Sequence, residues 1–119
     1  MNKDIYKKLI EVSKKKIVIY YEDLVSECGL LLNLGKIDDR NKLSEMLGEI
    51  SKFELAEKRP PISVLVVLKG TVSPSYGFFN FMDELKVRKP EETDEELRNR
   101  LMNWSYEYWS VKRSRSEIK

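Results

Sequence analysis

The sequence predicts a small, helix-rich α+β fold, a single domain over residues 1–119 with one main buried strand and a long C-terminal helix. Three observations carry that expectation. Leu43, Met46, Leu47, Ile50 and Phe53 recur at the spacing of one apolar helical stripe. Residues 62–68, ISVLVVL, form a β-branched apolar run between the breakers Pro60–Pro61 and Gly70. Thr93 and Glu96 have the spacing of a capping box at the head of a long charged and aromatic segment.

In chain order, Ile5, Leu9, Ile10 and Val12 give residues 1–16 one apolar side, with the lysines facing outward, as in a short helix. KIVIYY at 16–21 is β-branched and reads as a short strand or an extended lead into the next helix. Leu24, Val25 and Cys28 share a face of a helix over residues 21–31, with Gly29 a weak point inside it. LNLGKIDDRN connects onward, and Asp38 or Asp39 is placed to accept hydrogen bonds from the free amides that open the third helix. That helix carries the stripe from Leu43 to Phe53, reaches about residue 57 and is closed by the two prolines, which lack an amide donor.

Residues 62–68 are expected to be the central buried strand, with Ile62, Val64, Val66 and Leu68 on one face. Residues 76–87 read as a helix so crowded with Phe78, Phe79, Phe81, Met82 and Leu85 that most of it belongs to the core. The last helix, over residues 91–116, docks through Leu97, Leu101, Trp104 and Tyr108, with Trp109 beside them. Its acidic start and its basic end at Lys112, Arg113 and Arg115 match the helix dipole.

Composition excludes several function classes. The chain has no histidine and a lone Cys28, so it offers no intramolecular disulfide, no multi-cysteine site and no base to activate a thiolate. Cys28 reads as inert core. Glu91 to Glu96 compensate a helix dipole and do not read as a metal site, and no cofactor, metal or catalytic residue is expected. The longest apolar run falls far short of the roughly 20 residues that span a bilayer, and no signal peptide is evident, so a cytoplasmic protein without a membrane span is expected.

Charge is distributed unevenly although its sum is only +2. Residues 1–16 hold six lysines against Asp4 and Glu11, and residues 111–119 hold four basic residues against Glu117, so the ends are basic and the body acidic. Basic ends suit contact with a polyanion.

The segments KIVIYYEDLVSECGL, DDRNKLSEMLGEIS, RPPISVLVVLKGTVSPSYG and FFNFMDELKV, taken in order, resemble the C-terminal, winged-helix-type domain of alkyltransferase-like DNA-repair proteins. IYYEDL at 19–24 is similar to the family's TYGELA step, EMLGEI at 45–50 to its Val-Gly-x-Ala-Leu run, and PPISV at 60–64 stands at its Pro-Cys-His-Arg-Val motif. The resemblance covers residues 16–87 and implies a winged-helix-like core that binds DNA. Pro61, Ile62 and Ser63 replace the methyl-accepting cysteine and its neighbours, so alkyl transfer is not implied.

Two function classes follow. The first is a non-enzymatic, nucleic-acid-binding regulatory protein, with Arg40, Asn41 and Lys42 at the start of the recognition helix and Lys14, Lys15 and Lys16 on phosphates. Glu45 and Glu49 on the same helix oppose that role, and Tyr20, Tyr76 and Tyr106 are the aromatics expected to be exposed for stacking. The alternative is a small bacterial or phage adaptor or inhibitor that binds a protein or a nucleotide-like ligand through the 69–79 loop. There Lys69, Ser73, Ser75 and Tyr76 are the candidate ligand contacts, although the loop lacks the Walker pattern.

Overall fold

The computed structural model describes residues 1–110. Its elements are α1 (Lys3–Lys14), β1 (Ile19–Tyr20), α2 (Tyr21–Glu27), α3 (Ile37–Ala56), a 3-10 turn (Ile62–Leu65), β2 (Val66–Val67), α4 (Tyr76–Glu84) and α5 (Asp94–Ser110). The helix-rich α+β class is therefore as expected, and the buried side chains form one cluster.

Residues 62–67 lie at the centre of that cluster, none more than 5% exposed. Their burial matches the expected central strand, but their conformation does not: only Val66 and Val67 are strand, and Leu68 is 45% exposed. The turn packs against α1, α3 and α5, and helices offer no strand edge to pair with. Its amides are satisfied locally instead, as buried donors must be. The Val64 amide donates to the Pro61 carbonyl at 3.0 Å, and the Ser63 amide to Ser51 Oγ at 3.2 Å. Val66 and Val67 then run parallel to β1, with Ile19 opposite Val66 and Tyr20 opposite Val67.

Helix α1 is capped by Asn2, whose Oδ1 accepts the Ile5 amide at 2.9 Å, and it buries Ile5, Leu9 and Val12. Its partner α5 opens with the expected capping box. The Thr93 amide donates to Glu96 Oε1 at 2.9 Å and the Glu96 amide to Thr93 Oγ1 at 3.1 Å. The helix begins at Asp94, later than residue 91, and Lys112, Arg113 and Arg115 lie outside the described residues.

The buried stripe of α5 is Leu97, Leu101, Ser105 and Trp109, joined by Met102, whereas Trp104 and Tyr108 are half-buried. The expected stripe drifted off this face because Ser105 is polar. Ser105 is nevertheless fully buried, and its hydroxyl lies 2.8 Å from that of Ser13 on α1. A second buried serine pair, Ser51 and Ser63 at 2.5 Å, joins α3 to the 3-10 turn.

Four helices end in the same manner. After α1, α2, α3 and α4 a residue takes positive φ (Lys16, Gly29, Lys58 and Lys86), and the next amide returns to a carbonyl in the last turn, as Val87 does to Met82 at 2.9 Å. Gly29 thus ends α2 and does not lie inside it. Lys58 ends α3 before the prolines are reached. Asp38 and Asp39 were expected to cap α3, but the helix starts at Ile37 and both sit in its first turn, where the dipole favours them. Asp39 Oδ2 instead accepts the Asn33 amide of the preceding connector at 2.8 Å.

Candidate binding groove

The outer side of α3 faces α4 across an open groove of about 510 Å³. Leu47, Gly48, Phe78 and Phe81 form its apolar floor. Gly48 faces the Phe81 ring, so α3 and α4 approach closely at this point. A methyl group placed there would meet the Phe81 ring at 3.5 Å, an ordinary contact, so packing of α4 does not require the glycine.

The rim is charged and mostly acidic. Glu45 and Glu49 stand one helical turn apart on α3, Glu84 stands on α4, and Lys52 is the one lysine among the described residues that line the groove. Glu49 Oε1 lies 2.7 Å from the amino group of Met1. Glu45, Glu84 and Lys52 form no ion pair among the described residues.

Tyr21, Ser44 and Ser75 divide this groove from a second cavity of about 440 Å³, which Leu34, Arg40, Leu43 and Leu68 help to line. The Tyr21 hydroxyl accepts the amide of Ser75, the residue that precedes α4, at 3.1 Å. This bond fixes the start of α4 against α2. Exposed apolar side chains occur near the second cavity, in the loops before α3 and α4 and at the first residue of each helix: Leu31 and Ile37 flank Leu34, and Val72 and Tyr76 follow Leu68.

Of the four loop residues expected to contact a ligand, only Ser75 lines the groove. The 68–73 turn is closed on itself: Leu68 donates its amide to the Ser73 carbonyl at 2.9 Å, and Thr71 Oγ1 donates to the Leu68 carbonyl at 2.8 Å. Ser73 Oγ is turned to the Pro74 carbonyl at 3.2 Å. Lys69 and Tyr76 are exposed and line neither cavity, and Phe78 and Phe79 are both buried.

The expected nucleic-acid contacts fall on two separate elements. Lys14, Lys15 and Lys16 lie at and beyond the end of α1, where Lys15 pairs with Glu11 at 3.0 Å. Arg40, Asn41 and Lys42 are exposed on the first turns of α3, with Lys42 Nζ 3.9 Å from Asp39. Tyr76 is exposed as expected. Tyr20 and Tyr106 are half-buried instead, and the Tyr106 hydroxyl donates to the Ile17 carbonyl at 3.0 Å.

Cys28 is half-buried at the end of α2, and burial pushes its thiol up. Among the described residues no group of histidine, cysteine, aspartate or glutamate is placed to hold a metal ion, and no helix is long and apolar enough to cross a membrane.

The residues that sequence reasoning missed are Gly48, Asn80, Phe81 and Glu84. Two signals pointed to them: a glycine on a strongly periodic helix, and a nine-residue α4 holding more aromatic groups than one buried face can take. No family model matches the chain, and no curated protein or solved structure is significantly similar to it.

Proposed function

We propose that the chain is a non-enzymatic binding protein, an adaptor or inhibitor in type, that receives an apolar segment of a protein partner in the groove between α3 and α4. One observation carries this reading: an apolar floor of Leu47, Phe78 and Phe81 lies between Glu45, Glu84 and Lys52, rim groups that form no ion pair among the described residues. A concave, mostly apolar surface with a few oriented polar groups is the usual form of a binding site.

The groove offers hydroxyls from Ser44, Ser63 and Ser75 but no histidine to activate them, so its chemistry supports holding and not turnover. A nucleic acid is less well supported. Phosphates would meet Asp38, Glu45 and Glu49 on the exposed side of α3, against Arg40 and a lysine already near Asp39.

The test places a photo-crosslinking residue at Ser44 or Asn80, in the groove, or at Asn103, exposed on α5, in the cells that make the chain. A discrete protein adduct from the groove positions alone, lost when Gly48→Leu fills the floor, is the expected result. Adducts from Asn103 only, or adducts indifferent to Gly48→Leu, would overturn the reading.

A further inference from the structure

We infer that the occupant of the α3–α4 groove is a basic amphipathic helix of the protein partner, an inference that rests on the groove being the binding site. The argument is one of charge and shape together. Among the described residues Glu45, Glu49 and Glu84 rim the groove against Lys52 and the Met1 ammonium, which Glu49 holds. Glu45 and Glu84 are exposed and belong to opposite walls, so each offers a carboxylate with no ion pair among the described residues. Like charges held across a cleft repel, and an occupant carrying lysine or arginine on both flanks relieves that repulsion.

Glu49 is paired with the Met1 ammonium at 2.7 Å, so Glu45 and Glu84 are the carboxylates that face an occupant. Between the walls, Leu47, Phe78 and Phe81 supply apolar contact. Two helices with a trough between them fit a third helix laid along the trough, anchored by residues one turn apart on its apolar face. The occupant is thus apolar below, facing Gly48 and Phe81, and cationic on both flanks, facing Glu45 and Glu84.

The probe is a displayed library of amphipathic helices of about 18 residues, long enough to hold helical structure, with the apolar face fixed and the flanks randomised. It is selected on the wild-type chain. Retained peptides are then measured against Gly48→Leu and against Glu45→Lys with Glu84→Lys, each first shown to melt as the wild type does.

Retained peptides should be rich in lysine and arginine on the flanks, should be lost with Gly48→Leu, and should bind about tenfold more weakly to the charge-reversed variant. Peptides that need Gly48 but carry neutral or acidic flanks would overturn the basic occupant and leave the groove as the site. Peptides indifferent to Gly48→Leu, or no retained peptide, would overturn the groove itself. Displacement of a bound peptide by duplex DNA, or a dimer of the chain that Gly48→Leu dissolves, would assign the groove to another occupant and overturn the inference.

Discussion

Arg59 places both Nε and Nη2 on a single oxygen of Glu54, at 3.1 and 2.9 Å, in a part of the core where Glu54 is fully buried and Arg59 is 6% exposed. The Tyr6 hydroxyl donates to the same oxygen at 2.7 Å, and the Arg59 guanidinium lies 5.3 Å from the centre of the Phe53 ring. Burial, then the bond to Glu54, pushes the Tyr6 hydroxyl well above its ordinary range. The bond to Glu54 likewise raises Arg59. The cluster ties α1 to the end of α3, and its energetics depend on its being complete.

Removing one member should therefore hurt more than removing all. Glu54→Ala leaves a guanidinium buried without its carboxylate and should cost about 3–5 kcal/mol in a urea melt. The combined variant Tyr6→Phe, Glu54→Met, Arg59→Met should recover most of that loss, since apolar replacements of a buried pair are often neutral or stabilising. A Glu54→Ala chain within about 1 kcal/mol of wild type would show that water reaches this cluster.

The crossing of α1 on α5 should be equally sensitive to size. Ser13 Oγ donates to the Ser105 carbonyl at 3.0 Å, and both side chains are fully buried, so a small residue is required where the helices meet. Ser105→Leu should destabilise by about 1–3 kcal/mol through overpacking. Ser105→Ala, which keeps the volume, should cost less than Ser105→Leu by the same melt. The reverse order would mean that the hydroxyl bond, and not the close approach, holds the crossing.

Where sequence and structure part company, the reason is usually a polar residue performing an apolar residue's task, or the converse. The capping box of α5 was legible because both halves of the motif are local. The stripe of α5 was not, because Ser105 hides its centre. Lys16, Lys58 and Lys86 end helices where glycine would have announced the end, so α4 stops at Glu84 and not at residue 87. Burial of residues 62–67 was legible in their composition, but the 3-10 turn depends on three surrounding helices that no local pattern reveals. The groove was less legible still. Ser44, Glu45 and Glu49 were recognisable as the outer side of α3, yet their pairing with Asn80, Phe81 and Glu84 is a property of how α4 lies on that side.

Gly48 separates the demands of folding from those of binding. It sits within α3 without positive φ, and a methyl group there meets Phe81 at a comfortable 3.5 Å. Gly48→Ala should thus stabilise the chain by about 0.5–1 kcal/mol, since glycine inside a helix forfeits that much against alanine. Thermal melting measures it directly. A lower melting temperature would mean that α3 and α4 need the bare backbone in order to pack, and the case for Gly48 as a binding feature would weaken.

Acid stability should report on the joint between α4 and α5. Arg100 sends Nε to Glu92 Oε2 at 2.8 Å and Nη2 to Glu92 Oε1 at 2.9 Å, while the Lys89 amide donates to Oε1 at 3.1 Å. The Arg100 fork, aided by that amide and opposed by desolvation, lowers the Glu92 carboxyl from 4.5 to about 2. A carboxyl lowered by folding adds stability above its unfolded value, and that stability disappears as the pH falls through its folded value. Glu92→Gln should therefore melt below wild type at neutral pH, with a gap that holds down to about pH 5, narrows below the ordinary carboxyl value and closes towards about pH 2. A gap that stays constant through this range would show that the protonation of Glu92 is not coupled to folding, and hence that the fork does not hold its carboxylate in solution.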